Sequence, residues 1–316
     1  MDTSEQKMCR QAFSRLGWTL VVSQFFMLAA AWGGDALYAR WLLWHWPDID
    51  ATTLALRLSD SGVPLILSAF LGLLPCFWLG GISCIRDFSE FLLQEKRHGG
   101  AVIVIFSLLL VLGLQNIASI LTIPFEAIAN LLGGSFYDAY ASATAVPQTP
   151  SMLFYSVLFA PFCEELLYRG FVLRYLQPYG NTFAILFAAI LFGLMHGNIT
   201  QLPMALLCGV LFGYLALAYS LRTSMIVHTL TNLVAETVNW LSTANEIVAG
   251  RVNEALFAFG LIAFFLCIFQ RYKPIMQYIQ AGRARKEIIK LLLTSPPIAL
   301  LIFYLAFLTG VSITPI

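Results

Sequence analysis

Residues 158–173, LFAPFCEELLYRGFVL, set two adjacent carboxylates, Glu164 and Glu165, inside an apolar run. An ionisable side chain at membrane depth is costly, and it faces the protein interior or a wet cavity. The next hydrophobic runs repeat the feature. His196 ends AILFAAILFGLMH (184–196), and His228 and Asn232 lie four residues apart in MIVHTLTNLVAET (225–237). Three neighbouring apolar segments thus bring groups that water chemistry uses. The pattern predicts a polar, catalytic pocket inside a membrane-embedded protein.

The rest of the chain agrees with that setting. Of 316 residues, 59% are hydrophobic and 11% charged, against roughly 25% charged in a soluble domain. A membrane helix takes about 20 apolar residues. Apolar runs lie at about 16–34, 62–85, 101–123, 151–173, 181–197, 203–221, 224–244, 252–270 and 289–310. The expectation is an all-α, polytopic transmembrane helix bundle of eight to nine spans. With the N-terminus cytoplasmic, nine spans put the Lys and Arg residues on the inner side, save Arg40, Arg57 and Arg251. That is the positive-inside bias, and it predicts N-in, C-out. MDTSEQKMCRQAFSRLGW (1–18) leads into the first run without a small-residue cleavage site, so that run reads as a retained span.

The organisation follows from the runs. Residues 1–123 read as N-terminal accessory helices, 124–150 as an outer interfacial segment, 151–244 as the core and 252–316 as C-terminal helices. The segment 124–150 has no Lys or Arg, and it reads either as a connecting loop or as a cover over the pocket. The basic stretch 271–290 reads as an orientation anchor, with an amphipathic helix on the inner leaflet as the other possibility. A net charge of +1 and the lack of basic runs with interleaved aromatics argue against nucleic acid as a partner. The six cysteines, Cys9, Cys76, Cys84, Cys163, Cys208 and Cys267, form no CxxC pair. They read as small buried apolar residues. Cys163, next to Glu164, is read as packing in preference to a nucleophile.

Spacing suggests roles for the polar groups. On a helix, Glu165 and Arg169 stand one turn apart and can pair. Glu164 points about 100° away around the axis, so one glutamate is neutralised and the other left for chemistry. A carboxylate in an apolar pocket can act as a general base near neutral pH. Gly193 and Gly197 flank His196, and small residues let other helices approach. His228 and Asn232 share one face, which Glu236 continues, and the His228–Asn232 pair can stabilise an oxyanion. His45 and His98 lie in loops. One geometric demand follows. As straight spans, these segments would put His196 and His228 about 20 Å apart in depth. The pocket therefore requires residues 181–197 to begin below the membrane surface and 197–202 to turn inside the protein.

The ordered set EExxxR at 164–169, FxxxH at 192–196 and HxxxN at 228–232 resembles the CAAX-protease and bacteriocin-processing (Abi) family of intramembrane proteases. The resemblance covers roughly 151–244. It implies an α-helical intramembrane endopeptidase whose protease core is that stretch. It further implies that Glu164 activates a water, His196 holds it, His228 and Asn232 line the oxyanion site, and Glu165 and Arg169 support them. The implied partners are a peptide or membrane-protein substrate and the lipid bilayer, in a bacterial plasma membrane. No signal of oligomeric state is present.

Glu164, His196 and His228 could also be three zinc ligands, but the chain has no HExxH. A metal-free glutamate mechanism, with no cofactor, is preferred to a zinc site. Two other functions compete. A proton-coupled transporter would use the same residue types, although the polar groups cluster in one third without a partner half. A non-catalytic immunity or scaffold protein would need the fold but not the intact Glu164, His196, His228 and Asn232.

Overall fold

A computed structural model describes residues 1–80 and 99–315. Cys84, Arg86, Lys96, Arg97, His98 and the end of the apolar run 62–85 lie outside the described residues. Among the described residues the chain is all-α apart from one two-residue antiparallel pairing, Gly134 with Pro315 and Ser135 with Thr314.

Helix α1, Thr3–His45, is capped by the Asp2 carboxylate, which accepts from Glu5 N. Its 43 residues measure about 65 Å at 1.5 Å per residue, twice a hydrocarbon core. Both ends therefore extend past the run 16–34. Trp44 is exposed at one end, and Arg57 stacks on Trp46 beside it. Helices α2, Ala51–Ser59, and α3, Val63–Gly80, follow. Helix α3 lies along α1, where a Cβ on Gly34 would stand 3.0 Å from Pro64 and Ser68 Oγ donates to Met27 O at 2.8 Å.

Helix α4, Gly100–Leu131, continues through Pro124 beyond the run 101–123. The irregular outer segment expected from residue 124 thus begins eight residues later. It holds β1, Gly134–Ser135, and the short helix α5, Tyr137–Ala143. The α5 start is pinned from α4, where the Glu126 carboxylate accepts from Ser135 Oγ at 2.8 Å and Phe136 N at 2.9 Å.

Helix α6 covers 150–176 and changes its winding along its length. The turns Tyr155–Phe159 and Leu166–Leu173 are π-helical, and the turn Ala160–Glu165 between them is α-helical. Helices α7, Asn181–Met195, and α8, Leu202–Ala218, form a short antiparallel hairpin. Helix α9 is Leu221–Ala244 and α10 is Glu246–Ala281. Helices α11, Lys286–Leu293, and α12, Pro296–Gly310, meet at a 69° bend, and β2, Thr314–Pro315, follows. Ser295-Pro296-Pro297 explains the bend, because proline supplies no backbone donor to continue the preceding helix.

Among the described residues, three helices, α1, α4 and α10, are long and apolar enough to cross a membrane, and counting each of the bent pairs α2–α3 and α11–α12 as one span brings the number to five. The protein is an integral membrane protein by this measure. The runs 181–197 and 203–221 become helices of 15 and 17 residues. At 1.5 Å per residue these reach about 22 and 26 Å, short of a hydrocarbon core of about 30 Å.

One apolar core joins α1, α3, α6, α7, α11 and α12 through residues such as Phe13, Leu16, Leu173, Leu176, Leu191, Leu292 and Ile298. Ile288, Leu291 and Leu292 of α11 are buried in it. They thus pack the basic segment's short helix onto the protein, while Leu293 stays exposed. Glu5 of α1 pairs with Arg285 just before α11. On the other side α4 crosses α10 where Gly113 meets Gly260. A Cβ on either would stand 2.4 or 2.3 Å from the other's backbone, so the crossing depends on both glycines. Cys9, Cys76, Cys163 and Cys208 are buried free thiols and Cys267 is a partly buried one, as packing residues should be.

Candidate active site

Glu165 is the fixed point of the site. Its side chain is 0% exposed, and its two oxygens are both engaged. Oε1 lies 2.9 Å from Arg169 Nη1 and 3.0 Å from His228 Nδ1. Oε2 accepts from Ser224 Oγ at 2.6 Å. The expected pairing of Glu165 with Arg169 is present at i, i+4. A buried carboxylate is tolerated only when paired and hydrogen-bonded, and three side chains meet that demand here.

Arg169 is itself buried. Its guanidinium lies 4.3 Å from the ring centre of Phe192 and 5.4 Å from that of Phe212, and Nη2 donates to Gly209 O at 3.4 Å. Aromatic faces on a desolvated cation stabilise it by about 2 kcal/mol. The approach of α7 to α8 that brings both rings in needs Gly209, whose added Cβ would meet Ala189 at 2.9 Å.

Glu164 turns the other way, as helical geometry requires. It keeps 19% exposure and lines a cavity of about 840 Å³. His196, His228 and Asn232 line the same cavity. The depth gap between the two histidines is thereby closed. Helix α7 ends at Met195, and Gly197 takes φ +57° to turn the chain at once into the loop before α8. Only a left-handed residue permits that turn cheaply. Gly197 thus acts through its backbone angle, whereas Gly193 acts by close approach, since a Cβ there would stand 3.0 Å from Leu202.

The hydrogen bonds define what each imidazole offers. His196 Nδ1 lies 2.9 Å from Phe192 O. A carbonyl only accepts, so Nδ1 carries the proton and Nε2 is left as an acceptor. His228 Nδ1 faces Glu165, stacks on Phe212 at 4.6 Å and turns Nε2 toward Glu164 Oε2 at 3.6 Å. That last separation is longer than a direct hydrogen bond. A second proton on Nε2 would make it a donor to the cavity, with a carboxylate on each side as counter-charge.

Asn232 Nδ2 donates to Ser156 O at 2.8 Å. The winding of α6 supplies the reason. Ala160 N reaches back five residues to Tyr155 O. The next donor in that register would come from residue 161, a proline, which has none. The Ser156 carbonyl accepts from Asn232 instead, and the second Asn232 amide hydrogen remains for the cavity. Helical π-turns often mark functional sites for this kind of displacement.

The other cavity wall is made by α4, α5 and the loop after α7. Gln115, Glu126, Asn130, Tyr140 and Thr200 contribute polar groups to it. Asn198 Nδ2 donates to Ala139 O at 2.9 Å and ties that loop to α5. Glu236, one turn beyond Asn232, has one buried carboxylate oxygen without a partner. His45 lies at the end of α1 and hydrogen-bonds Trp41 O, away from this site. Cys163 is buried in the apolar core, and it is not among the cavity residues.

Sequence spacing did not single out Ser224, Phe212 or Ser156. Ser224 had a signal, since it precedes His228 by four residues on the same face of α9. Phe212 and Ser156 have none beyond their neighbours in space. As for zinc, no three His, Cys, Asp or Glu side chains are grouped as metal ligands among the described residues. Glu164, His196 and His228 do not form such a set in this arrangement.

Residues 146–234 match the family described as type II CAAX prenyl endopeptidase Rce1-like. The matched stretch runs from just before α6 into α9 and contains every residue of the EExxxR, FxxxH and HxxxN patterns. No curated protein and no solved structure matches the chain.

Proposed function

We propose that the chain is an intramembrane endopeptidase that uses Glu164 as its base. The reading is carried by the gathering of Glu164, His196, His228 and Asn232 around one cavity, within the stretch of CAAX-endopeptidase type. A water between Glu164 and His196 gives one hydrogen to the carboxylate and one to His196 Nε2, which aims its oxygen outward. Glu164 takes the proton as that oxygen attacks the scissile carbonyl carbon. The carbonyl oxygen becomes an oxyanion, steadied by the free amide hydrogen of Asn232 and by Nε2–H of His228 in its doubly protonated form, with Nδ1–H held on Glu165. Protonated Glu164 then gives its proton to the leaving nitrogen as the C–N bond breaks, leaving a carboxylic acid and an amine.

The membrane placement belongs to the same proposal. Nine spans, N-in and C-out, follow from the apolar runs and the basic residues, with α7 and α8 as short helices whose connecting loop sits at depth. A bacterial plasma membrane and a peptide or membrane-protein substrate complete the reading.

The test is single-turnover cleavage of a quenched peptide library by purified protein in detergent. Wild type and Glu164→Ala are compared with and without a zinc chelator. Cleavage should survive chelation and fall roughly 10²–10⁴-fold in the variant. Loss under chelation with recovery on added zinc would replace the glutamate mechanism by a metalloprotease one. Undiminished cleavage by Glu164→Ala would remove the proposal.

A further inference from the structure

Ser224 belongs to no motif of the site, yet it is 0% exposed and its hydroxyl stands between two acceptors. Glu165 Oε2 lies 2.6 Å away and Phe212 O lies 3.0 Å away. The hydroxyl donates to the nearer one, the carboxylate, and the second contact holds the serine rotamer against α8. The other oxygen of the same carboxylate, Oε1, receives His228 Nδ1. A carboxylate pivots about its Cγ–Cδ bond, so an anchor on Oε2 fixes the direction that Oε1 presents. The imidazole then has one resting orientation, ring against Phe212 and Nε2 toward Glu164.

We infer that Ser224 is a positioning residue. Through Glu165 it keeps one His228 proton on Nδ1, so that Nε2 is the edge turned into the cavity and the position that takes the second proton used at the oxyanion. The inference rests on the proposed peptidase reading for its kinetic consequence, but not for its structural one. Without the hydroxyl, Glu165 keeps Arg169 and loses the constraint on its far oxygen. The carboxylate swings toward the guanidinium, and Nδ1 and Nε2 then compete for the His228 proton. A serine that only satisfied the Phe212 carbonyl would instead affect stability and leave the imidazole as it was.

The test uses the full chain in detergent with ¹⁵N-labelled histidine. The chain has four histidines, and a His228→Asn variant assigns the His228 signals. Wild type should show His228 as a single Nδ1–H tautomer. Ser224→Ala should show a mixture of tautomers, and its kcat should fall on the order of tenfold or more with KM little changed, as when an imidazole loses the group that fixes its tautomer. In a Glu165→Gln background the same serine change should cost nothing further, because the carboxylate it acts on is gone. An unchanged His228 spectrum in Ser224→Ala, or full additivity with Glu165→Gln, would overturn the inference. Retained cleavage by Glu164→Ala would instead sink the peptidase reading, while the spectra still judge Ser224.

Discussion

At the scale of single residues, the site pairs one locked carboxylate with one open one. The two are adjacent in sequence, and α6 turns them in opposite directions. Glu165 is buried among Arg169, His228 and Ser224, while Glu164 meets the cavity. That division makes a prediction about Arg169. Arg169→Ala leaves the Glu165 charge uncompensated in the core, at a cost of about 3–5 kcal/mol. Arg169→Lys should recover only part of this, because an ammonium lacks the planar face that stacks on Phe192. Chemical unfolding in detergent measures both, and an Arg169→Ala protein as stable as wild type would refute the account. The i, i+4 rule made Glu165–Arg169 and His228–Asn232 legible from sequence. The serine at position 224 obeys the same rule, but serines are common on helix faces and this one carries no charge to draw notice. Phe212 could not be read at all, since its contacts with Arg169 and His228 arise from the crossing of three helices.

At the scale of elements, the informative one is α6, whose sequence reads as an ordinary apolar helix. Its two π-helical stretches come from packing and from Pro161, and periodicity alone does not announce them. The winding displaces the Ser156 carbonyl from its own helix and hands it to Asn232. Pro161→Ala would restore a donor at residue 161 and let the helix reclaim that carbonyl. The Asn232 amide would lose its anchor, and kcat should fall about tenfold, equivalent to about 1.4 kcal/mol of transition-state stabilisation, with KM little changed. Steady-state kinetics on one peptide decide it, and an unaltered kcat would break the link between α6 winding and Asn232. Helix ends were less legible than helix interiors. The run 101–123 hid a helix that continues through Pro124, because a proline removes one hydrogen bond without always ending a helix.

At the scale of the whole molecule, apolar runs and membrane-length helices are different quantities. Composition reveals how much of the chain avoids water, and it did so here. It does not say which runs are straight. The pair α11–α12 bends by 69°, and α7 and α8 are shorter than a bilayer core. The nine-span arrangement predicts opposite sides for the N-terminal turn and for the segment after α4. In a cysteine-free background, Ser4→Cys in oriented vesicles should react with an impermeant maleimide only from the inner side, and Ser142→Cys only from the outer. Labelling of both from one side would discard the arrangement. The pairing of Ser135 with Thr314 has a consequence for how the molecule is made. Its two halves are 179 residues apart in sequence. During synthesis, β1 and α5 emerge long before β2 exists, so β1 has no strand partner while α6 to α12 are being made. The pairing that ties the segment after α4 to the end of the chain is therefore a late event in biogenesis, made only after every helix between its two strands has been synthesised.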